Sequence, residues 1–161
     1  GSLVFGADDD TVEAIVFAAL RDRGWTLGTA ESATGGMIAV RITSIPGASE
    51  IFRGSVVSYA TGVKADVLGV DPEGLERGVV SEETALEMAR GASRVLGADV
   101  VVAVTGSAGP DPMEEAAGTM IVAVTTPEGE SVRTLRMPGD RERVRTYTTT
   151  AALHLVRLAL T

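Results

Sequence analysis

The chain has no cysteine and a single histidine, His154, among its 161 residues. The first absence removes disulfides, thiolate catalysis and cysteine-based zinc sites together, and fits a cytoplasmic protein. The second removes a histidine-rich metal site, so no metal or cofactor is called for. Aromatic residues are only 4%, too few for the stacking platforms that bind single-stranded nucleic acid. Basic residues are outnumbered 14 to 22, giving a net charge of −8, which argues against binding nucleic acid by general phosphate attraction. No apolar run approaches the ~18 residues of a membrane span, and no charged stretch followed by an apolar one marks a secretory signal. Catalysis, if there is any, must come from Ser, Thr, Tyr, Lys, Arg, Asp and Glu.

The length suits one domain. Gly1-Ser2 reads as a tag remnant, residues 1–8 as that remnant and an N-terminal arm, and residues 9–161 as a single domain. Asp10 and Glu13 form a capping-box-like pair ahead of Val12, Ile15, Val16, Ala19 and Leu20 at helical spacing, with Gly24 as the stop. Thr26 to Ala30 reads as a strand, running through a Gly-rich turn into a helix from Met37 that ends at Pro46-Gly47. Ser55 to Tyr59 is a second strand. A short helix through Lys64 follows, broken by Gly69 and Asp71-Pro72. Ser81 caps a helix from about Glu82 to Leu96. Asp99 to Thr105 is a continuous apolar strand, buried on both faces. Two more strands, Met120 to Thr125 and Ser131 to Met137, flank a turn at Pro127 to Gly129. Asp140 caps a last helix. This order predicts an α/β fold, a three-layer α/β/α sandwich with a mixed β-sheet.

Four segments carry chemistry, and each sits where a strand runs into a loop, the place where ligand sites of open α/β sheets collect. In Glu31 to Gly36, a Ser on a tight turn presents its hydroxyl, while Thr34, Gly35 and Gly36 let backbone N–H groups approach an anion or oxyanion. The plainer reading is an N-cap and a turn. In Ser58 to Lys64, Tyr59 and Lys64 stand five apart. A lysine works as a base only if its pKa falls from ~10.4, and a solvated surface lysine is the ordinary alternative. Val104 to Asp111 offers Thr105, Gly106 and Gly109 as an oxyanion or phosphate cradle, or merely a tight loop. In Gly139 to Arg145, Arg141 and Arg145 share one helical face, and one Arg at a helix start suits a phosphate. A solvated helix with Arg–Glu pairs explains that segment equally well.

Taken together the segments resemble the CinA C-terminal domain family, the nicotinamide-nucleotide amidohydrolases. The similarity runs from about Val12 to Leu160. It is carried by TAES-x-TGG at Thr29–Gly36, VVSY at Val56–Tyr59 with Lys64 five residues on, GVVSEE at Gly78–Glu83, VTG-x-AGPD at Val104–Asp111, Gly118-Thr119, and GDR with Arg145 at Gly139–Arg145. The resemblance implies hydrolysis of the carboxamide of nicotinamide mononucleotide (NMN) to nicotinic acid mononucleotide and ammonia. By motif, Ser32 matches the proposed nucleophile, Tyr59 and Lys64 its activating groups, and Thr105 and Arg145 the ligand site. Many relatives carry a second, N-terminal domain, so the chain resembles the stand-alone form or an excised domain. Two departures stand out. Ala33 replaces the family's usual Cys, and Asp111 to Ala117 is shorter, with Pro112-Met113 in place of glycines. The second bears on specificity if that loop meets substrate.

The residue inventory narrows the mechanism independently. Without Cys, and with His154 in a helix near the C-terminus, a Ser nucleophile with a neutral Lys base is the remaining acyl-transfer chemistry. Ser32, Tyr59 and Lys64 are then expected in one pocket. The expected partner is a small nucleotide, with neither nucleic acid nor membrane involved and a homodimer permitted. Two other readings stay open, a non-catalytic nucleotide-binding module of the same fold and a hydrolase of another small amide.

Overall fold

The computed structural model describes residues 11–109 and 116–161. Most of the Asp111 to Ala117 stretch therefore lies outside the described residues, as does Asp10. Among these residues six α-helices and five strands follow in the order α1 (Val12–Arg23), β1 (Leu27–Glu31), α2 (Met37–Thr43), β2 (Phe52–Val57), α3 (Thr61–Leu68), α4 (Pro72–Arg77), α5 (Glu82–Leu96), β3 (Val100–Ser107), β4 (Thr119–Thr126), β5 (Gly129–Arg136) and α6 (Arg141–Ala159).

The sheet is mixed, with order β2-β1-β3-β4-β5. The first three strands are parallel, and β4 and β5 add antiparallel to them. The all-apolar run of β3 is the centre. Its Val100, Val102 and Val104 pack with Val16 and Leu20 of α1, Ile38 and Ile42 of α2, and Leu153 and Val156 of α6. Its Val101 and Ala103 face Leu68 of α3, Leu75 of α4, and Met88 and Ala92 of α5. The period-two alternation of one strand thus feeds two cores, which makes a three-layer α/β/α sandwich. A bidentate ion pair from Arg41 to Glu13, at 2.7 and 3.0 Å, ties α2 to α1, and the same guanidinium donates to Thr150 of α6.

Four local expectations need correction. Helix α1 is capped by Thr11, whose Oγ1 accepts from the Ala14 N–H, and Glu13 serves the Arg41 pair instead of a capping box. Strand β2 starts at Phe52 and stops at Val57, because its partner β1 ends at Glu31, opposite Val57. Strand β3 continues to Ser107, held by antiparallel pairing to Thr119. Asp71-Pro72 starts a helix rather than only ending one. Asp71 caps α4 through the Glu73 N–H, and Pro72 takes the first helical position, where it lacks only a hydrogen bond the helix does not need.

The register matters most for function. Glu31 lies opposite Val57 on one side and Val104 on the other. The ladder runs one step further, with Ser58 N–H on the Glu31 carbonyl and Ser32 N–H on the Val104 carbonyl. Three motifs far apart in the chain therefore leave the sheet at one edge.

Candidate active site

Ser32 is the first residue past β1, at the head of the turn into α2. Gly35 and Gly36 take positive φ, 58° and 104°, which glycine adopts without steric cost. A buried carboxylate organises this turn. Glu31 accepts from the Thr34 hydroxyl at 2.8 Å and from the N–H groups of Gly36, Ile38 and Ala39 at 3.0–3.1 Å. The Thr29 and Ser55 hydroxyls complete its shell. The start of α2, expected to receive a ligand anion, is thus occupied by the protein's own anion. The Gly35 N–H is taken as well, by the Ser32 carbonyl. Thr34, Gly35 and Gly36 build the turn behind Ser32 and are not among the residues lining the cavity in front of it.

Lys64 lies in the first turn of α3 and is 1% exposed. Its Nζ donates to the Ser58 carbonyl at 2.5 Å, the Tyr59 carbonyl at 3.0 Å and the Ser32 hydroxyl at 2.9 Å. All three partners are neutral. Burial, with no carboxylate partner among the described residues, disfavours the ammonium and brings the Lys64 amine down to about 8 from an ordinary 10.5. The two carbonyls fix two N–H bonds, so the third direction of the amine points at Ser32. A neutral Lys64 directs its lone pair there.

A cavity of about 100 Å³ opens in front of this pair, lined by Ser32, Ala33, Tyr59, Thr61, Lys64, Val79, Val80, Thr105, Gly106, Ala108 and Arg141. Thr105 is buried, and its hydroxyl donates to the Val79 carbonyl. Gly106 has no room for a side chain, since a Cβ there would stand 2.3 Å from the Met120 sulfur. Gly109 adopts φ 91° beyond the lining, and its carbonyl accepts from Arg141.

Tyr59 reaches the cavity differently from the expectation. Its side chain is 63% exposed, and its hydroxyl accepts from Arg141 at 3.1 Å. What it gives Lys64 is its backbone carbonyl. Arg145 does not line the cavity. Its guanidinium reaches back to the carbonyls of Ala33 at 2.9 Å and Thr34 at 3.4 Å, and so clamps the Ser32 turn. The arginine in the cavity wall, among the described residues, is Arg141, one helical turn earlier.

The architecture has close counterparts among known proteins. The model of the CinA C-terminal domain matches residues 9–160. The chain belongs to the CinA C-terminal domain family. A CinA-like protein of Frankia casuarinae is 50% identical over 163 residues, covering 99% of this chain but 37% of its own length. A CinA-like protein of Mycobacterium marinum is 44% identical, covering 99% and 38%. The chain thus spans under two fifths of these curated CinA relatives. Solved CinA structures match over nearly their whole length. The competence or damage-inducible protein from Enterobacter asburiae superposes with TM-score 0.90 at 33% identity, covering 94% of this chain and 99% of that one. The competence/damage-inducible protein CihA from Agrobacterium tumefaciens gives 0.87 at 34% identity, covering 98% of each.

Among the described residues no group of three or more His, Asp or Glu side chains is arranged to hold a metal ion. None of the described helices is long and apolar enough to cross a membrane.

Proposed function

We propose that this CinA domain is a serine amidohydrolase that converts NMN to nicotinic acid mononucleotide and ammonia, with Ser32 as nucleophile and Lys64 as base. The observation that carries the reading is the 2.9 Å contact between a buried lysine amine and a serine hydroxyl facing a cavity. A binding module has no need of a buried amine that no carboxylate among the described residues partners, whereas a base does.

In the first step Ser32 Oγ attacks the carboxamide carbon, and Lys64 Nζ takes the hydroxyl proton. Collapse of the tetrahedral intermediate breaks the C–N bond, and Lys64 returns that proton to the leaving nitrogen, which departs as ammonia. Water then attacks the Ser32 ester. Lys64 accepts a proton from the water and hands it back to Ser32 Oγ as the carboxylic acid leaves. The developing oxyanion falls near Ala33 and Gly106, which line the cavity, and away from the occupied N–H groups of Gly35 and Gly36. One such donor is typically worth ~10²–10³ in rate.

The choice of NMN rests on the family resemblance, and the cavity size supports it. Pockets that enclose a whole drug-sized ligand run to about 300–1,000 Å³. This one admits a single ring bearing an amide, with the rest of a nucleotide at the rim. The reaction would serve recycling of pyridine nucleotides in the cytoplasm. The deciding experiment is ammonia release from NMN by the purified protein, with the acid product identified. Ser32→Ala should lower the rate by about 10²–10⁴-fold or more. No ammonia from the wild type, or undiminished release by Ser32→Ala, overturns the reading.

A further inference from the structure

We propose that Arg141 recognises the anionic end of the substrate at the cavity rim, exchanging its present contacts with Tyr59 and Gly109 for a phosphate. The inference rests on the amidohydrolase reading only for where the amide lies.

The protein carries net charge −8, so its long-range field repels a nucleotide phosphate and a local cation must hold it. The described cations near the site can be sorted by what they already do. Lys64 is enclosed and faces Ser32. Arg145 spends its guanidinium on the Ala33 and Thr34 carbonyls, and Arg136 faces the Thr119 hydroxyl. Arg141 alone among the described arginines lines the cavity that Ser32 and Lys64 share.

Its present partners suit exchange. Nη1 donates to the Gly109 carbonyl at 2.8 Å and Nη2 to the Tyr59 hydroxyl at 3.1 Å. Both are neutral oxygens, and none of the ion pairs among the described residues uses Arg141. A charge-assisted pair of N–H bonds to a phosphate is roughly twice as strong as neutral ones. Tyr59 is mostly exposed, so releasing its hydroxyl returns it to water at little cost. The start of α6 offers no competing site, because the Asp140 carboxylate already caps it through the Arg143 N–H. With the amide-bearing ring inside a cavity of about 100 Å³, the phosphate has to sit outside, where this guanidinium stands.

The test is equilibrium binding by calorimetry to Ser32→Ala, which cannot turn substrate over, and to Ser32→Ala with Arg141→Ala. NMN and nicotinamide riboside are compared, since the second lacks only the phosphate. Removing Arg141 should weaken NMN at least tenfold and change riboside less than twofold. Inorganic phosphate should compete with NMN in the first protein and not in the second. Arg141→Lys should restore part of the NMN affinity, and thermal melts confirm that each variant is folded. Equal losses on both ligands, no loss on NMN, or failure of folded Ser32→Ala to bind NMN overturns the inference. The two readings fail separately. A wild type that releases no ammonia but shows Arg141-dependent phosphate preference sinks the reaction and leaves the recognition. Ammonia release with Arg141-independent discrimination does the reverse.

Discussion

The Lys64 amine and the Ser32 hydroxyl, 32 positions apart in the chain, meet at 2.9 Å because β1 and β2 run parallel and end in register. Each strand delivers its motif to the same edge, and the first turn of α3 brings the amine back over the serine. The carbonyls of Ser58 and Tyr59 fix its orientation. Register brings the pair together, and burial lowers the amine with no charged group among the described residues shifting it.

The first prediction concerns pH. Only neutral Lys64 accepts a proton, and burial sets its pKa at about 8. Activity should therefore rise with pH and level off above about 8. With this pKa about a tenth of the amine is neutral at pH 7, whereas an unshifted lysine would be roughly one part in three thousand neutral. Lys64→Arg keeps a charge that does not deprotonate in this range, so it should lose about 10²–10⁴-fold in kcat/KM, as Lys64→Ala does. A kcat/KM profile still climbing at pH 10, or an active Lys64→Arg enzyme, refutes the role of base.

Glu31 gives the second prediction. Its two oxygens gather three backbone N–H groups of α2's start and three hydroxyls. Glu31→Gln replaces one acceptor oxygen with an NH₂ group that confronts donors it cannot satisfy. Hydrogen bonds to a charged group are worth about 1.5–3 kcal/mol, and the loss should be of that order in denaturant unfolding. Because the turn carries Ser32, kcat should fall more than KM rises. A variant with wild-type stability and kcat would show that the carboxylate is dispensable to the turn.

Much of this site was legible in the sequence and some of it was not, for identifiable physical reasons. The strand-end motifs announced themselves through Gly and hydroxyl residues beside apolar runs, and Ser32 and Lys64 stood out as candidate nucleophile and base because Cys is missing and the one His, His154, lies in the last helix. Glu31 was hidden, since a carboxylate in sequence looks the same whether it meets water or a helix start. Its one signal was its place at the end of a strand whose other residues are small or apolar, with Thr34 and two glycines following. Arg145, placed at the ligand site by the resemblance, could not be told from Arg141 by position alone, for a different reason. They share a helix face, and only the packing of α6 against the Ser32 turn decides which one reaches back and which one meets the cavity. The start of α4 was misread because Pro72 carries opposite meanings at the first position of a helix and inside one.

The third prediction separates those two arginines. Arg145 holds the carbonyls of Ala33 and Thr34 and does not line the cavity. Arg145→Ala should lower turnover of NMN and of nicotinamide riboside by the same factor, because a looser Ser32 turn harms both equally. Parallel kinetics on the two substrates check this. A loss confined to NMN would make Arg145 a phosphate ligand after all.

The last prediction uses two glycines in opposite circumstances, one packed against the Lys64 helix and one inside it. Gly91 of α5 lies against the end of α3, and a Cβ there would stand 1.9 Å from the Leu68 carbonyl oxygen. The neighbour is backbone, so it cannot swing aside, and α5 and α3 must separate. Overpacking of this kind costs about 1–3 kcal/mol and sometimes more. Gly91→Ala should therefore lower the unfolding midpoint. It should also lower kcat, because the displaced helix carries Lys64, while the pH midpoint of the reaction stays put. Gly62 is the internal control. It is the second residue of α3, has helical φ, and meets nothing within 4 Å of a built Cβ. Gly62→Ala should leave activity alone and raise stability by about 0.5–1 kcal/mol through helix propensity. Urea titrations of both variants beside the wild type decide the matter. If Gly91→Ala is as stable as wild type, the close approach of α5 to α3 is not what holds Lys64 in place.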